Sequence, residues 1–97
     1  MMEIPALQYD LNSVYSLDLP ETATIEMLER VLAERINTLI TADFNRLISL
    51  LYRIDVSETK LKQLLRENAG TDAGLLIARL ILERQWQKIE TRRKFSR

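Results

Sequence analysis

The sequence predicts an all-α protein, a bundle of about four helices with a partly extended N-terminal arm. Three observations lead to this fold class. Glycine and proline each occur only twice in 97 residues, too rarely for a turn-rich β protein. Apolar side chains recur every three or four residues along most of the chain, which is the spacing of one helix face. The longest such pattern, over residues 72–95, is expected to form the central helix of the bundle.

The chain has the size of a single domain, in which residues 1–20 form the arm and residues 21–97 the helical domain. Its content of 46% apolar and 29% charged residues is typical of a globular protein. No apolar run approaches the roughly 18–20 residues of a membrane span, and the start lacks the basic stretch that opens a secretory signal. We therefore expect a cytoplasmic protein.

The arm is expected to pack on a surface, because it carries too many apolar side chains for a free tail. These side chains keep neither a helical nor a strand period for long, and Pro5 and Pro20 bracket the segment. We expect a partly extended course with one helical turn. The surface that the arm covers belongs either to its own subunit or to a partner subunit.

Three helices are expected between the arm and the central helix. The first covers about residues 25–40 and follows two capping threonines. Residues 41–43 then mark either a break with a new cap or a bend in one continuous helix. The next helix begins at Phe44, and a short one follows the capping sequence around Ser57. Gly70 is expected to end this short helix in a left-handed conformation. The inward stripe of the middle helix is predicted to be Phe44, Leu47, Ile48 and Leu51.

The central helix is expected to be apolar on two faces. One face runs nearly its whole length, whereas the other stops halfway, where Arg84 and Lys88 take its place. Only three other helices, one of them short, are available to cover both faces. A homodimer that shares part of this surface would complete the burial. Alternatively, the bundle closes alone and the arm supplies the missing cover. The candidate interface consists of Leu76, Ile77, Leu80, Ile81 and Trp86.

Charge is divided unevenly along the chain, although the formal net charge is zero. Residues 1–45 hold eight acids and two bases, a net charge of −6, and residues 46–97 hold twelve bases and six acids, a net charge of +6. Two explanations are open. The halves can neutralise each other, within one fold or across an antiparallel dimer. Alternatively, the basic half faces nucleic acid or an acidic partner.

The strongest candidate for such a contact is the end of the central helix, where cations recur at intervals of about four residues. We call this set the basic ridge. Its members are Arg84, Lys88, Arg92, Arg93, Lys94 and Arg97. They are placed to follow a phosphate backbone, with Trp86 or Phe95 stacking on a base. The alternative is a solvated helix end whose cations are favoured by the helix dipole.

Enzymatic chemistry has little support in the residue content. The chain lacks histidine and cysteine, which supply many general bases, all thiol nucleophiles and most transition-metal ligands. It also lacks a glycine-rich loop that would hold a phosphate. A pair of carboxylates that meet in space is the one catalytic alternative. We therefore predict a non-enzyme without catalytic, cofactor-binding or metal-binding residues.

Two regions carry a resemblance to other sequences. Residues 44–56 contain FNRL and LYRIDV, and residues 83–92 contain ERQ and QKI. In these regions the chain resembles small uncharacterised all-helical bacterial proteins. The resemblance implies a bacterial, cytoplasmic, all-helical protein, and it carries over no activity and no site.

The predicted function is that of a non-catalytic protein-interaction or accessory protein that acts through helical surfaces as a homodimer. The alternative is a nucleic-acid-associated protein that uses the basic ridge. The two functions differ in how salt affects binding. Phosphate contacts weaken steeply as the salt concentration rises, whereas contacts between apolar protein surfaces do not.

Overall fold

The computed structural model describes residues 2–95, which fold into five α-helices and contain no β-strand. In chain order the helices are α1 (Ile4–Ser13), α2 (Ile25–Ala42), α3 (Phe44–Ile54), α4 (Glu58–Glu67) and α5 (Ala73–Phe95). The predicted all-α bundle is confirmed. The long C-terminal helix lies at its centre, because each of the other four helices packs against α5. The buried side chains of the core come from the arm and from every helix except α4.

The arm differs from the prediction, because it holds a helix of ten residues rather than a single turn. Pro5 lies in the first turn of α1, where a backbone amide has no partner within the helix. Proline therefore begins this helix instead of interrupting it. Leu7 and Leu11 are fully buried in the common core. Beyond α1, buried side chains alternate with exposed ones, and the buried ones are Tyr15, Leu17 and Leu19. The arm thus packs on its own chain.

Three arginines from α2 and α3 bind the backbone of the segment that follows α1. The donor and carbonyl pairs are Arg53 with Val14 (2.9 Å), Arg46 with Ser16 (3.3 Å) and Arg35 with Asp18 (3.3 Å). This segment has no regular secondary structure, so its carbonyl groups have no helical or sheet partners. The arginine side chains replace those partners and hold the segment on the helices beneath it.

Helices α2 and α3 are separate, which decides between the two alternatives for residues 41–43. Asp43 is the single residue between them, and its φ of −156° and ψ of 73° interrupt the helical backbone. Its carboxylate accepts a hydrogen bond from the amide of Arg46 at 3.2 Å and so caps α3. The other helices that begin with a side-chain cap use Thr24, Ser57 and Asp72.

The left-handed helix end occurs at Asp55 and not at Gly70, so the prediction for Gly70 was wrong. Asp55 ends α3 with a φ of 67°, and no glycine in the described range has a positive φ. Helix α4 ends differently, because the side-chain amide of Asn68 donates to the carbonyl of Leu64 at 2.9 Å. The same carbonyl also accepts from the backbone amide of Asn68 at 3.0 Å, so Asn68 ends the helix with both its backbone and its side chain.

Helices α2 and α5 approach closely at Gly74. A Cβ atom at this position would overlap the side-chain amide of Asn37. That amide donates to both carboxylate oxygens of Asp72, at 3.1 Å and 3.0 Å. Asp72 in turn accepts from the amide of Leu75 and caps α5. The missing side chain at Gly74 therefore allows α2 to reach the start of α5.

Helix α3 faces the core with a different edge from the predicted one. Its buried side chains are Leu47, Leu50 and Ile54. The predicted inward residues Phe44 and Ile48 are exposed. Apolar residues fill seven of the eleven positions, an arc wider than one helix buries on a small bundle. Arg46 and Arg53, on the opposite edge, are bound to the arm, and this contact fixes the rotation of the helix.

Candidate functional site

The predicted interface on α5 lies inside the folded chain. Its residues are Leu76, Ile77, Leu80, Ile81 and Trp86, and they are between 0% and 9% exposed. Three of them belong to the main core, to which α1, α2 and α3 also contribute. Leu80 lies beside Val56 and Lys60 on the side of α5 where α4 packs, and Leu76 is one turn away on the same side. The chain covers both faces of α5 with its own helices, so these five side chains are buried without a second subunit.

The first two members of the basic ridge bind the end of α3. Arg84 donates to the carbonyl and the carboxylate of Asp55, at 3.1 Å and 3.2 Å. Lys88 donates to the carbonyl of Arg53 at 3.2 Å. Burial, followed by the repulsion of nearby Arg84, lowers the pKa of Lys88 below its ordinary value. Both cations thus have a structural role between α3 and α5.

The next two members of the basic ridge bind the arm. Arg92 donates to the buried carboxylate of Asp10 at 3.1 Å. Arg93 donates to both carboxylate oxygens of Glu3, at 2.6 Å and 3.0 Å, and its guanidinium lies 5.5 Å from the ring centroid of Trp86. The hydrogen bonds from Arg93 are the main cause that lowers the pKa of Glu3. These contacts hold α1 against the second half of α5.

The uneven division of charge is partly neutralised within the fold. Three salt bridges join an acid of the N-terminal half to a base of the C-terminal half. They are Glu3–Arg93, Asp10–Arg92 and Glu29–Arg79. Of the remaining members of the basic ridge, Lys94 lies 6.0 Å from the ring of Phe95, and Arg97 lies outside the described residues. The pairs favour neutralisation within one chain over a free phosphate-binding surface.

A buried polar network, which the sequence did not predict, joins the arm to α5. The hydroxyl of Tyr15 donates to Gln85 Oε1 at 3.0 Å, and Gln85 Nε2 donates to Asp10 Oδ2 at 3.0 Å. Arg92 donates to the same Asp10 oxygen, so the buried carboxylate is paired with a charge. Burial is the main cause that raises the pKa of Tyr15. Each polar group of the network has a hydrogen-bond partner within it, and these bonds align α1 with α5.

An open groove of about 810 Å³ lies between α1 and the chain that leads into α2. Its amide side chains bind the arm itself. Gln8 donates to the carbonyl groups of Leu19 and Pro20, and Asn12 bonds both the amide and the carbonyl of Leu19. The buried hydroxyl of Thr22 has no hydrogen-bond partner among the described residues. The polar groups of this groove therefore serve mainly to fix the backbone.

No group of three or more acidic side chains within residues 2–95 lies close enough together to hold a metal ion. None of the described helices is long and apolar enough to cross a membrane.

One helix presents a row of large apolar side chains to solvent. Phe44, Ile48 and Tyr52 follow one another at intervals of four residues on α3 and are 55%, 48% and 87% exposed. We call this row the α3 strip. The other large exposed apolar residues are spread over different elements and are Tyr9, Val14, Met27 and Phe95. The α3 strip is therefore the strongest candidate for an interaction surface in the described chain.

Within α3 the strip has no charged neighbour. Its neighbours on the exposed side of the helix are Asn45 and Ser49. The two charged residues within α3, Arg46 and Arg53, are bound to the arm on the other edge. A contact on the strip therefore desolvates apolar and neutral groups, which is what the centre of a protein interface requires.

Comparison with known protein families, with functionally described proteins and with solved structures gives no match to this chain.

Proposed function

We propose that the protein is a small non-catalytic interaction or accessory protein that binds another protein through the α3 strip. In its simplest form the protein is a cytoplasmic homodimer. The observation that supports this function is the exposure of three large apolar side chains on one face of one helix. Aromatic side chains are enriched among the residues that dominate binding energy, and the strip has two of them.

The size of the α3 strip suits such a contact. A large side chain exposes about 200 Å² when it is fully accessible, so the three exposed fractions amount to roughly 400 Å². Patches of about 300–600 Å² are the largest that typical monomers expose, and they are often functional. Leaving this surface in water forgoes stabilisation that burial inside the bundle would supply. A partner that covers the strip removes this surface from water and gains the corresponding free energy on binding.

The nucleic-acid alternative has less support from the contacts. Four cations of the basic ridge, Arg84, Lys88, Arg92 and Arg93, each donate a hydrogen bond to an oxygen of the same chain. A phosphate backbone would have to compete with these contacts, two of which are made to the carboxylates of Glu3 and Asp10. Of the two aromatic residues expected to stack on a base, Trp86 is buried and Phe95 is exposed.

Site-specific photo-crosslinking tests the proposed function whatever the identity of the partner. A photoreactive phenylalanine analogue is placed at Tyr52, and in a control variant at the exposed Thr59 of α4, in cells that produce the protein. We expect a discrete protein adduct from position 52, which disappears when Ile48→Lys is added. Equal adducts at both positions, or no adduct at position 52, would contradict the proposed function.

A further inference from the structure

We propose that the partner of the α3 strip is the α3 strip of a second copy, antiparallel to the first, with Ile48 at the two-fold axis. This inference rests on the proposed function and names its partner. Three features carry it: the order of the side chains in the strip, the helix dipole of α3, and the area of the strip.

The α3 strip has the same order of side chains in both directions, which is aromatic, aliphatic, aromatic. When two copies of α3 lie antiparallel about Ile48, a residue that precedes Ile48 by some number of positions faces the residue of the second copy that follows Ile48 by the same number. Each Phe44 then faces Tyr52 of the second copy, and the two Ile48 side chains meet at the axis. Rings in such pairs adopt offset or edge-to-face arrangements that stabilise the contact beyond the area buried.

The helix dipole of α3 favours the antiparallel arrangement over the parallel one. A parallel pair would align the two dipoles side by side and bring the two copies of Asp43, which lies at the start of the helix, to the same end. In the antiparallel pair the dipoles oppose each other, and the two copies of Asp43 lie at opposite ends. Arg53 takes no part in this contact, because it donates to the carbonyl of Val14 on the edge that binds the arm.

The uncharged surroundings of the strip also suit a second copy. Two identical surfaces bring like charges together wherever a charged residue lies near the axis. The residues beside Ile48 on the exposed side are Asn45 and Ser49, which are neutral and hydrogen-bond readily. Residues of α3 therefore bring no like charges together at the centre of the pair.

The area predicts a weak dimer. Roughly 400 Å² per copy is about half of the 800 Å² per partner in a standard interface. Contacts of this size belong to the transient class, with dissociation constants of about a micromolar or higher. We therefore expect monomer and dimer to exchange within the concentration range of ordinary solution measurements.

Cysteine cross-linking tests the pairing directly, because the natural chain contains no cysteine. Helices packed about 8–10 Å apart leave roughly 4–5 Å between facing Cα atoms, which is within disulfide reach. Single variants Ile48→Cys, Phe44→Cys and Tyr52→Cys are oxidised alone and in pairs, with Ser49→Cys as the matched control. In the antiparallel pair the two copies of residue 44 are separated by about 12 Å along the helix axes and cannot be joined.

The expected pattern is specific to the antiparallel register. Ile48→Cys gives a covalent dimer by itself, at a rate about tenfold or more above that of Ser49→Cys. Phe44→Cys and Tyr52→Cys give a covalent dimer only when the two variants are mixed.

Other patterns overturn the inference and bear differently on the proposed function. Covalent dimers of Phe44→Cys alone and of Tyr52→Cys alone would show a parallel pair, which contradicts the register but keeps a homodimer. If no variant exceeds the Ser49→Cys control, a second copy is not the partner. The proposed function then depends on whether position 52 forms a photo-adduct with a different protein.

Discussion

Helices α1 and α4 have ten residues each and both pack against α5, yet they are attached in different ways. Helix α1 buries Leu7 and Leu11 completely and adds a buried carboxylate, Asp10, that is hydrogen-bonded to α5. Helix α4 has no buried residue. Its leucines are only partly covered. A helix with clear sequence signals can therefore lie at the periphery, whereas a segment without them can be part of the core.

The same contrast bears on where a partner binds. Because α1, α2 and α3 supply the main core around α5 and α4 packs on the side that holds Leu76 and Leu80, the two apolar faces of α5 are already occupied. The row of exposed apolar side chains lies on the outer edge of α3, which faces away from the arm. The position of the arm therefore determines both what is buried and what is free to bind.

The greatest loss of stability is expected from truncating the core contact of α1. Leu11→Ala removes a fully buried side chain and should lower the free energy of unfolding by about 2–5 kcal/mol. The matched variant in α4, Leu64→Ala, removes a half-buried side chain and should cost about 1 kcal/mol. Urea denaturation of both variants measures the difference. Equal losses would show that the two helices are attached alike.

A smaller effect is expected from the polar attachment of α1. Asp10→Ala leaves the buried amide of Gln85 without its acceptor and removes the partner of Arg92, at a cost of about 1–3 kcal/mol. In α4, Lys60→Ala removes an exposed salt bridge to Glu83 and should cost less than about 1 kcal/mol. Thermal unfolding of the two variants at matched pH makes the comparison. A larger loss for Lys60→Ala would contradict the assignment of the network to the core.

The network should also make stability depend on alkaline pH. Burial raises the pKa of Tyr15 above its ordinary value, so the folded state favours the protonated hydroxyl. The contribution is complete below the unfolded pKa and is lost as the pH rises through the folded pKa. We expect the urea midpoint to fall as the pH rises above about 10, the ordinary pKa of tyrosine. Tyr15→Phe should reduce that fall, and an identical pH profile would argue against a buried Tyr15 hydroxyl.

The weakest effect is expected at the exposed end of α1. Hydrogen bonds from Arg93 lower the pKa of Glu3, so this pair contributes above the unfolded pKa of Glu3 and its contribution is lost as the pH falls through the folded pKa. Solvent and salt screen a pair at this exposed position. Glu3→Gln should therefore change the acid limb of the stability profile only at low salt. A change that persists in high salt would mean that the pair is shielded from solvent.

Elements whose signals are local were predictable from the sequence. The central helix was expected over residues 72–95 and runs over Ala73–Phe95, with Asp72 as its cap. The start of α3 at Phe44 and the start of α4 after Ser57 were also visible in their capping residues. Each of these features depends on side chains within a few positions of the helix end, and such local patterns can be recognised in the sequence.

Features that depend on distant contacts were not predictable. The spacing of Ile4, Leu7 and Leu11 fits a helix, but Asp10 occupies a buried position of the same helix and obscures the apolar pattern. Its partners, Gln85 and Arg92, lie 75 and 82 positions further along the chain. The role of the basic ridge was hidden for the same reason. Cations at intervals of four residues do not show which acids will face them.

The α3 strip was hidden by an excess of apolar residues. With seven of eleven positions apolar, the sequence does not define which part of the arc faces inward. The contacts of Arg46 and Arg53 with the arm decide the rotation, and they exist only in the folded chain.

Sedimentation equilibrium over a range of protein concentrations decides whether the α3 strip, rather than the buried surface of α5, binds a partner. The natural chain is compared with Ile48→Lys and with the control Thr59→Lys, which changes an exposed residue of α4 away from the strip. We predict that the mass of the natural chain and of the control rises from monomer towards dimer with concentration, at low and high salt alike, whereas Ile48→Lys remains monomeric. A dimer that survives Ile48→Lys would place the interface elsewhere, and a natural chain that stays monomeric at every concentration would contradict the homodimer.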